Sequence, residues 1–328
     1  MPVSGPYAAQ LRAELLARNR IWARDCAHVE SYGTNPTVLY APEGGAHDNF
    51  HPASYAAIAA APAWQRRFDK IHAQVRSLPK AERRWRELDS CISSDALLMN
   101  IFCHPQVCAS PRVRTMLGVE TDASPEFGVR ARVPLASGRT DRTEVDMRWG
   151  SLLVEAKLTE SDFQSCRTEV AEAYRDFDVV FDRDLLPRAE IPIARRRESA
   201  EFPEEYTQEE VRVPAETWEP TRIEKPRPSV AGYAGYQLIR NVLAAHALGS
   251  SFCVMHDERR PDLREQWFAV MAAVRPVELR VRLKVLTWQE LAAALPTDLQ
   301  DFLDHKYGIV PCGRCASPIQ GILAPQSF

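Results

Sequence analysis

The chain has 328 residues, is 45% hydrophobic and 26% charged, and carries a net charge of −3. These values are those of an ordinary globular protein, far from the disordered and membrane classes, and they give no global basic field to announce a nucleic-acid binder. Eight cysteines in a chain of this length do not make a disulfide scaffold, and buried thiols are the default expectation.

In chain order, Tyr7 to Arg24 reads as a helix. Arg12, Glu14, Arg18 and Arg20 interrupt it too early for a signal segment. No apolar run approaches the ~20 residues that span a bilayer, so a cytoplasmic protein with no membrane partner is expected. Residues 32–52 are rich in Gly, Pro and Asn, with a short strand at Val38–Tyr40. A long helical stretch is predicted over Pro62 to Val75 and Lys80 to Phe102, broken near Pro79; Trp85, Leu88, Ile92, Leu97 and Ile101 recur there at helical spacing. The period then changes to two. Strands are expected at Phe127–Pro134, Thr143–Arg148 and Leu152–Leu158, with turns at Ser137-Gly138-Arg139 and Trp149-Gly150-Ser151. Ser161 to Phe181 returns to a helical pattern. Pro187 to Pro228 is rich in proline and charge, includes Arg195-Arg196-Arg197, and reads as a long excursion. An amphipathic helix follows at Tyr233–Leu248, a strand at Ser251–Met255, a helix at Pro261–Val274, a strand at Val277–Leu286 and a final helical segment at Trp288–Leu303. The expected organisation is a mainly helical N-terminal extension over 1–86, an α/β core over 87–260 carrying the 187–228 insertion, and a C-terminal α/β extension over 261–328.

The chemistry concentrates in the second and third strands. Side chains alternate between the faces of a strand. One face of Thr143–Arg148 carries Glu144, Asp146 and Arg148, and one face of Leu152–Leu158 carries Leu153, Glu155 and Lys157. A hairpin at Gly150 would bring Asp146 beside Glu155. Converging carboxylates repel unless a cation sits between them, and hard oxygen ligands favour Mg²⁺ or Mn²⁺. A lysine on the same face could orient water and offset charge developing on a phosphate.

Asp146, an eight-residue gap and Glu155-Ala156-Lys157 together resemble the PD-(D/E)XK, or restriction-endonuclease-like, superfamily. The residue before Asp146 is Val145 rather than Pro, a departure that the family tolerates. The resemblance implies a mixed β-sheet flanked by helices in helix–strand–strand–strand–helix–strand order. It implies Asp146 and Glu155 as metal ligands, the Ala156 carbonyl as a further ligand, and Lys157 as the catalytic base or water-orienting group. Asp95 on the first core helix is the candidate additional ligand, with Glu87 weaker, and Gln237 the candidate later catalytic side chain. Ser93-Ser94, Thr159-Glu160 and Gln237-x-x-Arg240-Asn241 give a further likeness to a bacterial branch of restriction-endonuclease-like proteins. Arg148, Arg240 and Arg195 to Arg197 are the candidates for contacts to nucleic acid. A host-defence or DNA-processing role and a homodimer rest on the resemblance alone.

Other motifs weigh less. Asp304-His305-Lys306 repeats the acid-x-Lys pattern after a helical stretch with no partner strand. Cys312-Gly313-Arg314-Cys315 is half a Zn²⁺ site without a second ligand pair at suitable spacing. Cys103-His104 and Cys108 suit a helix end packed into the core. His256 to Arg260 reads as a solvated turn, and Arg280, Arg282 and Lys284 as one face of a strand. The expected activity is Mg²⁺-dependent hydrolysis of phosphodiester bonds in DNA, with RNA still open as the substrate. A non-catalytic nucleic-acid-binding or assembly module and a metal-dependent nucleotide hydrolase are the rivals. A surface ion pair on a solvated sheet face is the bland alternative for the motif itself.

Overall fold

A computed structural model describes residues 6–31, 36–71, 85–192 and 228–313. Helix α1 (Pro6–Trp22) leads to strands β1 (His28–Glu30), β2 (Val38–Tyr40), β3 (Pro42–Glu43) and β4 (Ala46–His47). Helices α2 (Pro52–Ala60) and α3 (Pro62–Phe68) follow, then α4 (Ser94–Phe102), α5 (Pro105–Ala109) and α6 (Pro111–Leu117). The meander is β5 (Glu126–Pro134), β6 (Thr140–Trp149) and β7 (Leu152–Ala156). Next come β8 (Ser165–Arg167), α7 (Thr168–Ala171), α8 (Phe177–Val180), β9 (Arg188–Pro192) and β10 (Ser229–Ala234). The chain continues through α9 (Tyr236–Leu248), β11 (Ser251–His256), α10 (Pro261–Ala272), α11 (Val277–Arg280), β12 (Leu283–Thr287), α12 (Trp288–Ala292) and α13 (Thr297–Tyr307).

The centre is a five-stranded mixed sheet in the order β12-β11-β7-β6-β5, flanked by helices, as expected. The meander strands pair antiparallel, whereas β11 runs parallel to both β7 and β12. Alternation in β7 decides which layer covers which face. Leu153 packs with Leu238, Ile239 and Val242 of α9, while Leu152, Val154 and Ala156 pack with Leu98 and Phe102 of α4 and with Trp288. Burial on both faces explains why β7 reads as a near-continuous apolar run. The segment beyond 260 is tied into this sheet, since β12 is its edge strand. Among the described residues no helix is long and apolar enough to cross a membrane.

Several expected elements are shorter or different. The helix predicted over Pro62 to Val75 stops at Phe68, and of the described part of the second stretch, residues 85–102, only Ser94–Phe102 is α-helical, after a 3-10 turn at Glu87–Asp89. Residues 72–84 lie outside those described. Ser93 starts α4 because its side chain accepts from the Ala96 amide (3.1 Å), satisfying an N-terminal N–H that has no partner within the helix. Ser161 to Phe181 is not one helix. Ser165–Arg167 pairs with Gly232–Ala234 in a second, three-stranded sheet, and only short helical turns follow. Tyr233 likewise belongs to β10, and α9 begins after Gly235, whose φ of +74° suits glycine. Val277 to Leu286 is not a continuous strand. Pro276 introduces the helical turn α11, and the strand starts only at Leu283. Arg280, Arg282 and Lys284 therefore share no strand face.

Candidate active site

The turn between β6 and β7 is Gly150-Ser151. Gly150 has φ +60°, and a Cβ there would meet Thr121 Cγ2 at 2.7 Å. The tight turn fixes the register Trp149↔Leu152, Arg148↔Leu153 and Met147↔Val154. One step further, Asp146 falls opposite Glu155, and its Oδ2 accepts from the Ala156 amide at 2.7 Å. Asp146 therefore takes over an amide at the end of the ladder and is drawn against the Glu155-Ala156-Lys157 backbone.

The simple alternation of β6 slips at this point. Val145 packs in the α9 cluster, whereas Met147 joins the cluster under α4. Gly128 of β5, opposite Asp146 in the register, has φ +62°, and Val129 and Phe127 on either side of it also pack into different clusters. The kink has a consequence for Glu144, which was expected beside Glu155. It turns instead to Lys70 (2.9 Å) and Arg67 (3.4 Å).

Glu155 and Lys157 are nearly inaccessible, and Asp146 keeps some access to solvent. Lys157 Nζ lies 2.7 Å from Glu155 Oε1, and Asn241 Nδ2 of α9 donates to Glu155 Oε2 at 2.7 Å. Thr143 Oγ1 in turn donates to Asn241 Oδ1 at 3.4 Å. The Lys157 backbone is held on both sides: its amide donates to Met255 O (2.8 Å) and its carbonyl accepts from Trp288 Nε1 (3.0 Å). Burial disfavours the Lys157 ammonium, but Glu155, Glu160 and Asp146 outweigh it and hold its pKa above the ordinary lysine range. Asp146 moves the other way for a carboxylate. Burial, then Glu155, then Asp95 push its pKa well above normal.

Asp95 lies in the first turn of α4, and burial is the main cause that raises its pKa to about 6. Arg67 of α3 forms an ion pair with Asp95 and also lies 3.8 Å from Glu87. Asp95 and Glu87, the two candidate additional acids, thus both flank one nearly buried guanidinium. Beside it opens a cleft of about 530 Å³ lined by Trp64, Arg66, Arg67, Lys70, Phe127 and Arg130, with Glu144 on its wall.

The remaining candidates are dispersed. Gln237 lies one turn before Asn241 on the same face of α9, and its backbone N–H donates to Phe163 O (2.9 Å). Arg240 stacks over Tyr236, its guanidinium carbon 5.3 Å from the ring centre. Arg148 is held by Glu126 across the β5–β6 pair at 2.9 Å. Arg195, Arg196, Arg197 and Cys315 lie outside the described residues. Cys312 is exposed, and Cys103 and His104 are buried at the end of α4.

Four contributors were not singled out by sequence pattern. Arg67 and Lys70 sit in an unremarkable helical stretch. Asn241 carried a signal only as part of the Gln-x-x-Arg-Asn likeness. The fourth is Arg260, because His256 to Arg260 is not a solvated turn. His256, Asp257 and Arg260 are buried, and the Arg260 guanidinium donates to the carbonyls of Leu158 (3.1 Å), Glu160 (2.7 Å) and Ser161 (3.2 Å), clamping the chain that leaves Lys157. Two further parts of the likeness meet here, since Ser94 Oγ donates to Glu160 Oε1 at 2.5 Å.

The model of a family described as Restriction Endonuclease associating with ARP matches residues 26–308. No curated protein and no solved structure matches the chain at a significant level.

Proposed function

The chain belongs to the family described as Restriction Endonuclease associating with ARP, and on that premise we propose that it is a Mg²⁺- or Mn²⁺-dependent nuclease that hydrolyses phosphodiester bonds in DNA. The observation that carries this reading is the convergence at the β6–β7 strand ends. Asp146 rests on the Ala156 amide, and Lys157 reaches the Glu155 carboxylate, each at 2.7 Å.

The donor set fits a hard divalent ion. Asp146 and Glu155 are crowded carboxylates, the Asp146 pKa is raised by burial and then by that crowding, and a cation would relieve both. Asp146, Glu155 and the Ala156 carbonyl would hold the ion, with Asp95 as a further ligand if Arg67 gives way. The ion would supply Lewis acidity toward the phosphate and acidify water beside it.

The chain's own groups account for the rest. Lys157 is held protonated, so it acts as a water-orienting cation that offsets charge on the phosphate, rather than as a base. Asn241 fixes the Glu155 carboxylate in one orientation, and Gln237, one turn away on α9, would contact substrate. The basic cleft with Trp64 and Phe127 suits a phosphate backbone with bases against aromatic faces. A protein partner of the kind in the family's description is part of the proposal.

Purified protein incubated with plasmid, linear and single-stranded DNA in Mg²⁺ or Mn²⁺ tests the reading, with Asp146→Ala and Lys157→Ala as controls. Metal-dependent cleavage by the wild type alone is expected. Cleavage surviving both substitutions would overturn the assignment, and DNA binding without cleavage by the wild type would favour a non-catalytic module.

A further inference from the structure

At the far end of α4 from Asp95, two histidines and an aspartate from three separate elements meet. His51 is the residue before α2, His104 lies between α4 and α5, and Asp298 is in the first turn of α13. One ligand atom from each lies within 4.8 Å of the other two. The spacing is that of an unbridged group. His51 Nε2 and His104 Nε2 stand 3.6 Å and 3.9 Å from Asp298 Oδ2, beyond good hydrogen-bond length.

His104 supplies the second observation. Its side chain is 2% exposed, and neither ring nitrogen has a hydrogen-bond partner. A buried imidazole without partners is costly, and a bound ion would satisfy it. Burial lowers the pKa of both histidines, which favours the neutral form that binds metal.

The scaffold is firm. The His51 amide donates to Asn100 Oδ1 (2.7 Å), and Ser54 Oγ donates to Asn100 O (2.6 Å), pinning α2 to α4. The His51 ring packs edge-on against Phe302 of α13. Asp298 is largely exposed, which leaves one side open for ion entry and a water ligand.

We propose that His51, His104 and Asp298 bind one divalent transition ion of the zinc class, tying α2, α4–α5 and α13 together. Two imidazoles and one carboxylate select Zn²⁺ over Mg²⁺, which prefers an all-oxygen shell. Ligand distances of about 2.0–2.2 Å require the three side chains to close by a few tenths of an ångström. Binding at His51 Nε2 moves its proton to Nδ1, at the expense of the long 3.3 Å contact from the Ala53 amide. The nine-residue α4 places the site about 14 Å from Asp95, so it is separate from the acidic cluster and does not depend on the nuclease reading.

The test uses the untagged full chain in an Asp146→Asn background, which disables the acidic cluster. Zn²⁺ is titrated by calorimetry, and Co²⁺ is used as a spectroscopic probe. One equivalent of Zn²⁺ is expected, with a rise in Tm and visible Co²⁺ bands typical of four-coordination. Asp298→Asn, at an exposed position, should weaken binding at least tenfold and remove the Tm shift, and His104→Gln should abolish the Co²⁺ bands. No Zn²⁺ binding in the Asp146→Asn chain would overturn the proposal. So would binding unchanged by Asp298→Asn in a variant whose circular dichroism matches the parent.

Discussion

Replacing Asp146 by Asn should abolish cleavage and, without metal, make the protein more stable. The Asp146 carboxylate is held by one amide, at 2.7 Å, which the Asn carbonyl can keep. What the substitution removes is a charge that burial, Glu155 and Asp95 all disfavour. A raised folded-state pKa means that proton-linked stability is present below the unfolded value of 3.8 and is lost as pH rises through the folded value. Each unit of upward shift corresponds to about 1.4 kcal/mol. Neighbouring Asp95 is raised to about 6 even with Arg67 against it. Removing the Asp146 charge while the amide hydrogen bond is kept should stabilise the metal-free protein near neutral pH by about 1–2 kcal/mol, the usual scale for relieving one poorly compensated, partly buried charge. Urea denaturation between pH 4 and 8, with EDTA or with Ca²⁺ as a non-turnover ion, measures it. Wild-type stability in EDTA should fall as pH rises from about 4, the Asn variant should fall less, and Ca²⁺ should stabilise only the wild type. A variant less stable than wild type in EDTA at pH 7.5 would refute the argument that these carboxylates repel.

Lys157→Met should leave the Glu155 charge buried beside Asp146 and cost about 3–5 kcal/mol. Adding Glu155→Gln should recover much of that loss in the same denaturation assay, although cleavage stays absent in both variants. Asn241→Ala removes the donor to Glu155 Oε2, with an expected loss of about 1–3 kcal/mol in stability and a roughly 10–100-fold loss in cleavage rate or metal affinity; unchanged kinetics would show that the Glu155 orientation does not matter. Arg67→Ala strips the guanidinium from Asp95, Glu87 and Glu144. It should lower apo stability by about 3 kcal/mol or more while tightening divalent-ion binding in a calorimetric titration, and weaker ion binding would show that Arg67 does not compete with the metal.

The meander, and Asp146 facing Glu155 within it, were legible in the sequence because they depend on short-range rules. A period of two, a glycine at the turn and an eight-residue gap between Asp146 and Glu155 are enough to place the two acids opposite one another. The resemblance also pointed to the first core helix and the α9 region, through Asp95 and Gln237, and in the structure Ser94 of that helix meets Glu160 and Asn241 of α9 meets Glu155. Only the tertiary structure decided what surrounds the trio. The kink at Gly128 turns Glu144 away to Arg67 and Lys70, which no alternation rule foresees, since it depends on the neighbouring strand. Arg260 reads as part of a polar run until three carbonyls from the chain after Lys157 close on it across about a hundred residues of sequence. The same holds for His51, His104 and Asp298, which are far apart along the chain and carry no mutual spacing signal. Local periodicity assigns the faces of a strand only while the strand runs regular, and the slip at Asp146 parts Glu144 from it. Which charges share a buried space is fixed by long-range packing; at this site burial and then the neighbouring carboxylates raise the Asp146 pKa, and the same carboxylates keep Lys157 charged.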